Sequence, residues 1–424
     1  MKICVMTLGC KVNKYESDAL MYNLSLKGYE VTDKLEDADV YVVNTCAVTG
    51  EAEKKSRQMI ARCRKFNKDA RVVICGCASQ HNSQQFLEKG VDIVSGVAGK
   101  IKISEYIDKL VKNDKNLLKK HEKMAKLPKD YEDDLLAKQT RTRAYIKIQD
   151  GCNNFCSYCI IPYLRGRSRS RGIFSIISEV AKLDENIKEI VLTGIKGTDY
   201  KIDGEPGLLT LLEQLDKFDK RLRLSSMEDS IVEESFIEGL SKLKNFCPHF
   251  HLSLQSGSSS VLKRMNRHYT AEQFKSSVDL IRKYFPLAGI TTDVIVGFPD
   301  ESEEEFIETY NFIKEVEFSQ LHIFQYSERE GTVASKIYKD LPAKIKQERF
   351  EKLNELNEEL KHKFIKKNKY EEVLVEEEID GLYVGYSKNY IRCYIKSKKD
   401  IIDNIVKVKI KKEYKDGVFA KYIH

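Results

Sequence analysis

The chain has 424 residues, 42% of them hydrophobic and 32% charged, enough for two or three compact cores and incompatible with a disordered or fibrous protein. Lys and Arg exceed Asp and Glu by 72 to 65, a net charge of +7, so an anionic partner has to be met by a local patch. No stretch approaches the roughly 18 apolar residues of a membrane span.

The opening MKICVMTLGC is too short an apolar run for an export signal: Thr7 breaks it, and Lys11, Lys14 and Glu16 follow at once. It predicts a buried strand, Lys2–Thr7. Further strands are expected at Asp39–Asn44 and Arg71–Cys75, with helical spacing at Tyr15–Leu26 and Thr49–Phe66, the pattern of a small doubly wound α/β domain over residues 1–112. Cys10, Cys46 and Cys77 each stand just past a strand end, the rim where open parallel sheets collect ligands. Eleven cysteines, an odd number, argue against a secreted disulfide framework and for a reducing compartment, the cytoplasm, with metal-binding or catalytic thiols.

Residues 113–137, rich in Lys, Asp, Glu and Leu, are expected to be a solvated helical linker. Six strands are then predicted at Ala144–Gln149, Glu189–Thr193, Arg221–Ser225, His249–Leu254, Thr291–Val296 and Ser319–Phe324, each followed by a helix. This is a partial (βα)6 barrel over residues 138–367, with its site at the C-terminal strand ends. A charged helix from Pro342 to Lys367 closes it. In residues 368–424, Val, Ile and Tyr alternate with charges between the turn pairs Asp380-Gly381, Lys388-Asn389 and Asp416-Gly417, which predicts a small antiparallel β-barrel. From Ser387 to His424 there are eleven Lys/Arg and four Asp/Glu, interleaved with Tyr390, Tyr394, Tyr414 and Tyr422 and preceded by Tyr386. That composition suits a nucleic-acid backbone with stacked bases, and equally a solvated sheet face.

Directly after the first barrel strand, Cys152, Cys156 and Cys159 form C-x3-C-x2-C. Zinc sites usually take four protein ligands, whereas three thiolates on one loop can hold three irons of a [4Fe-4S] cube and leave the fourth open. Around this loop, GCNNFCSYCIIPYLRGRSRSR (151–171), TLGCKVN (7–13), NTCAVT (44–49), Gly76-Cys77, LSLQSGSSSVLKRMNRHY (252–269) and TTDVIVGFP (291–299) together resemble the radical S-adenosylmethionine methylthiotransferase family. They are most similar to its branch acting on threonylcarbamoyladenosine in tRNA, the MtaB-like enzymes.

The resemblance implies two [4Fe-4S] clusters, a radical-generating one on Cys152, Cys156 and Cys159 and an auxiliary one on Cys10, Cys46 and Cys77, with S-adenosylmethionine as both radical source and methyl donor. It implies a TRAM domain at 368–424, and methylthiolation of C2 of N6-threonylcarbamoyladenosine at position 37 of tRNA. The implied partners are a tRNA anticodon loop, an electron donor such as flavodoxin or ferredoxin, and a sulfur source. Isopentenyladenosine in tRNA or a ribosomal-protein side chain is the alternative substrate. A non-catalytic iron–sulfur RNA-binding protein would leave the cysteine loop and its barrel unexplained. The family often carries a His and a shifted Gly where this chain has Lys196-Gly197-Thr198-Asp199.

Candidate cofactor contacts are Thr193, Gly194 and Gly297, where a chain turning close to a nucleotide needs small residues, as a plain βα turn also does. Ser226, Glu228, Gln255 and Ser256 offer hydrogen bonds to the cofactor, although the serines equally suit helix caps. Arg165, Arg167, Arg169 and Arg171 follow the cluster loop; Arg141–Arg171 holds seven Lys/Arg against one Asp, a patch suited to RNA phosphates. Cys4, Cys63, Cys75, Cys247 and Cys393 fit buried small hydrophobes. The eight histidines show no paired ligand spacing, and none is assigned to metal.

Overall fold

The computed structural model describes residues 1–100, 102–112, 127–133, 137–139 and 141–423. Five short apolar runs, β1 (Lys2–Thr7), β2 (Glu30–Thr32), β3 (Val40–Thr45), β4 (Arg71–Gly76) and β5 (Ile93–Val94), pair in parallel in the order β2-β1-β3-β4-β5. β3 is buried at every residue, as a parallel strand covered on both faces must be. One face packs Leu20 and Leu24 of helix α1 (Lys11–Leu26) with Ile103 and Ile107. The other packs Met59, Ile60 and Cys63 of helix α2 (Gly50–Phe66). The sheet is therefore doubly wound, and its order reverses between β1 and β3, where such sheets bind ligands. β2 and β5, two or three residues each, carry too little alternation to be read from sequence.

All six barrel strands form, all in parallel pairing. Arg143–Lys147, Glu189–Thr193 and Arg221–Leu224 make one ladder. Ser226–Met227, His249–Gln255, Gly289–Val296 and Gln320–Gln325 make the next. The predicted first strand splits after Lys147, because Gln149–Asp150 turns away to pair antiparallel with Arg169–Ser170. That two-residue ribbon closes the base of the cysteine loop. Leu353, Leu356 and Leu360 of the Ala343–Lys367 helix complete the barrel core.

The tail is a closed five-stranded barrel. One pair, Arg392–Lys396 with Gly417–Tyr422, is parallel, which corrects the wholly antiparallel expectation. An odd number of strands cannot alternate direction all the way around a closed ring. The three predicted turns join strands as expected, and Asp380 and Gly381 both have positive φ, as a tight hairpin requires. Of the expected linker, residues 113–126 and 134–136 lie outside the described residues. Residues 127–133 are not helical: Pro128 disfavours helix at Leu127, and Leu127 packs on the α2 side of the first domain.

Candidate functional site

The Cys152–Cys159 loop is held in place by backbone geometry. Gly151 has φ +73°, and a Cβ there would sit 2.0 Å from the Arg167 carbonyl oxygen, so only glycine allows this turn. Cys152 N donates to Gly166 O at 3.0 Å and Cys159 N to Cys156 O at 2.9 Å. Arg267 Nη1 donates to Cys156 Sγ at 3.3 Å and pairs with Glu228 at 2.9 Å. Glu228 also pairs with Lys196 at 3.1 Å and accepts from Asn154 Nδ2 at 2.6 Å. Burial pushes the Cys159 thiol up to about 12, and the neighbouring Cys156 and Cys152 add to the rise. A cationic centre bound beside such a buried thiol favours its thiolate. Among the described residues no three His, Cys, Asp or Glu groups converge on one ion. An iron–sulfur cube offers a separate iron to each thiol, so the donor set fits it without such convergence.

Cys10, Cys46 and Cys77 form a second group on the rim of the first domain. Cys10 is the N-cap of α1, and Cys77 opens the short helix Cys77–His81. Gly9 has φ +97°, and a Cβ on it would meet Cys46 Sγ at 2.6 Å; the glycine before Cys10 is what lets Cys46 close over it. Burial pushes the Cys46 thiol up to about 11, with Cys77 and Cys10 contributing. Cys75 faces the opposite core, beneath α1. Cys77 and Cys159 pack against one shared apolar cluster that includes Ile160, Ile161 and Leu164.

Between the two domains lies a buried ionic seam. The fully buried Arg165 bonds Cys77 Sγ through Nε at 3.3 Å, Glu16 Oε1 at 3.0 Å, Asp150 Oδ1 at 3.1 Å and Asn13 Oδ1 at 2.7 Å. Lys147 pairs with Glu16 and Asp150 at 2.7 Å each, and Lys100 also pairs with Glu16. These cations hold the Glu16 carboxyl well below the usual carboxylate range against its burial.

A cavity of about 740 Å³ opens where the first domain, the barrel and the tail meet, within the size range of small-molecule sites. Cys10, Cys46 and Cys77 line it from above, and Leu224, Thr291, Asp293 and Phe324 belong to its barrel wall. His249, His251 and His322 line it too. His251 Nδ1 and His249 Nε2 both contact Thr291 Oγ1, at 2.9 and 3.2 Å, and His251 Nε2 lies 3.2 Å from Asp293. Sequence reasoning missed these residues; the available signal was the His-x-His and Thr-x-Asp alternation, which puts each pair on one face of its strand.

A family model described as uncharacterized protein family UPF0004 matches residues 2–96, and the radical SAM superfamily model matches residues 146–313. The threonylcarbamoyladenosine tRNA methylthiotransferase MtaB of Bacillus subtilis is 41% identical, covering 98% of this chain and 96% of that protein. The chain belongs to the radical S-adenosylmethionine methylthiotransferases of the MtaB type. A tRNA-2-methylthio-N(6)-dimethylallyladenosine synthase of Bacillus licheniformis is 36% identical, covering 96% of this chain and 83% of that protein. The fold is shared with the radical S-adenosylmethionine methyltransferase TsrM of Kitasatospora setae, at a TM-score of 0.57 and 16% identity over 79% of this chain and 74% of that one.

In this methylthiotransferase the candidate cofactor contacts fall in different places. Thr193, Gly194 and Ser226 line the cavity, and Glu228 stands beside the Cys156 loop. Gln255 is buried with φ +71° at the end of its strand. Ser256 Oγ is bonded to Thr309 Oγ1 at 3.0 Å. Gly297 is covered by the Lys346 side chain, which a Cβ would meet at 2.3 Å, so its small size serves packing of the closing helix.

The expected phosphate patch of the methylthiotransferase is corrected. Arg143, Lys147, Arg165, Arg169 and Arg171 are buried and paired with Glu189 and Glu376, Glu16 and Asp150, or Glu179. Of the arginines after the cysteine loop, Arg167 is the exposed one, stacked over Phe155 at 4.5 Å. In the tail, Tyr390 stacks on His249 at 4.5 Å and on Tyr386 at 4.8 Å, docking the small barrel on the large one. Lys407, Lys409, Lys411 and Lys412 remain exposed on one strand.

Proposed function

We propose that the protein adds a methylthio group to C2 of N6-threonylcarbamoyladenosine at position 37 of tRNA, beside the anticodon. The observation that most supports this is that Cys77 and Cys159, one from each triad, pack against one apolar cluster beside a cavity lined by Cys10, Cys46 and Cys77, in a chain colinear with MtaB. In this reading Cys152, Cys156 and Cys159 hold one [4Fe-4S] cluster and Cys10, Cys46 and Cys77 a second. When bound, the clusters with S-adenosylmethionine supply radical, sulfur and methyl chemistry for an adenine C–H that no side-chain base can deprotonate. Arg267 holds Cys156, and Arg165 holds Cys77, each by a hydrogen bond to sulfur. Glu228, fixed by Lys196, Arg267 and Asn154, offers a carboxylate beside the first loop for a cationic cofactor group.

Leu224, Ile161, Ile195 and Val12 line the cavity and limit water around a base drawn into it, and an anticodon loop is where RNA bases are free to splay out. The exposed lysines of the tail hold the RNA backbone. The working units are residues 1–112, 138–367 and 368–424, joined by 113–137. The protein acts in the cytoplasm with an electron donor such as flavodoxin or ferredoxin and a source of sulfur; among the described residues no helix is long and apolar enough to cross a membrane.

Nucleoside mass analysis of tRNA from cells with and without the protein tests this reading. The methylthio form of threonylcarbamoyladenosine should vanish with the gene. Loss of the methylthio form of isopentenyladenosine instead would assign the alternative substrate. Anaerobic reconstitution with dithionite and S-adenosylmethionine should yield 5′-deoxyadenosine, which a non-catalytic binder would not form.

A further inference from the structure

Three residues on the cavity wall carry full charges: Lys11, Arg165 and Asp293. Arg165 is neutralised by Glu16 and Asp150, and Asp293 lies against His251. Lys11 is different: among the described residues it has no ion pair and no side-chain hydrogen bond. It is exposed, and it stands on the wall of the concavity beside Cys10. A cation left without a partner on the wall of a cavity is complementary to an anionic ligand group.

The proposed substrate has such a group. On adenine, C2 and N6 flank N1 on one edge, so a base that presents C2 to Cys10, Cys46 and Cys77 carries its N6 substituent into the same cavity. The threonylcarbamoyl substituent bears a carboxylate, a hydroxyl and urea N–H groups, whereas an isopentenyl substituent is wholly apolar. We infer that Lys11 is the specificity residue of this enzyme, pairing with the carboxylate of the threonylcarbamoyl group. The inference rests on the substrate proposed above. A site built to pair a charged group rejects an analogue lacking it far more strongly than an apolar pocket rejects a changed methylene.

The test uses the full reconstituted protein and three synthetic anticodon stem–loops that differ only at position 37: adenosine, N6-threonylcarbamoyladenosine and N6-isopentenyladenosine. Equilibrium affinities are measured for wild type, Lys11→Gln and Lys11→Arg. Because each preference is a ratio on one protein sample, incomplete cluster loading cancels from it. Wild type should prefer the threonylcarbamoyl stem–loop. Lys11→Gln should lose at least tenfold of that preference, and Lys11→Arg should keep most of it. A Lys11→Gln variant with the wild-type preference overturns the role of Lys11 and leaves the substrate reading standing. A wild-type protein without that preference that methylthiolates only the isopentenyl stem–loop overturns both.

Discussion

Arg165 and Cys77, 88 residues apart, meet at 3.3 Å through Nε and Sγ. The same guanidinium reaches Glu16 and Asn13 of the first domain and Asp150 of the barrel, so one side chain ties a candidate cluster ligand to the interface that sets the position of the two domains. Its planar fork makes these contacts at once, which a lysine cannot.

Replacing Arg165 with Gln should therefore act on stability and on cluster retention together. It leaves Glu16 and Asp150 buried with less positive charge, a change that typically costs about 3–5 kcal/mol. Denaturant unfolding should show the loss, and the variant should retain less iron than wild type after reconstitution. Arg165→Lys should recover only part of either. Wild-type stability and full iron content in Arg165→Gln would show that the seam is not needed to hold the cluster.

The two triads should separate by function. Full reconstitution should bring iron and sulfide toward the content of two cubes per chain. Ala at Cys152, Cys156 and Cys159 should remove about half the iron and all S-adenosylmethionine cleavage, because the open-iron site is lost. Ala at Cys10, Cys46 and Cys77 should leave 5′-deoxyadenosine formation measurable and abolish the methylthio product. Cys75→Ala, in the opposite core, should keep both clusters with a modest packing loss. Full iron in the first triple variant would refute the assignment.

Reversing Lys407, Lys409, Lys411 and Lys412 to Glu should weaken tRNA binding and flatten its salt dependence. Each lost phosphate contact takes roughly 0.7–0.9 from the log–log slope, with little change in sequence preference. Affinity at two salt concentrations decides the matter, and an unchanged slope would count against the RNA role. The tail's docking contacts, such as Tyr390 on His249, are untouched by these substitutions, so the fold should survive.

Glu53 supplies a pH test of the contact between the first domain and the barrel. Burial alone would raise its pKa, but His81 at 3.3 Å and Arg329 at 2.7 Å hold it down to about 2. A carboxyl depressed on folding stabilises above its unfolded pKa, and that stability is lost as pH falls through the folded value. The contribution, about 2 kcal/mol after allowance for solvent screening, should be complete above roughly pH 4.5 and fade toward pH 2. Wild-type and Glu53→Gln unfolding curves should accordingly differ at neutral pH and draw together over that window; a gap independent of pH would exclude this origin.

Features governed by neighbours in the chain were legible before any coordinates. Lys2–Thr7 and Glu189–Thr193 form with the expected limits, because a parallel strand buried on both faces must be an unbroken apolar run. The C-x3-C-x2-C spacing and the glycines before Cys10 and Cys152 are equally local: spacing and positive φ are properties of a few consecutive residues. Charge counting failed where partners lie outside the window that was counted. Arg165, Arg169 and Arg171 looked like a phosphate patch because Glu16, which joins the first domain to the barrel, lies 149 residues from Arg165, and Glu179 belongs to the following helix. Tyr390 looked like a platform for bases until it was seen stacked on His249. The cavity histidines stayed silent because alternation along a strand shows that His249 and His251 share a face, while only the closing of the barrel beneath Cys10, Cys46 and Cys77 turns that face toward a ligand.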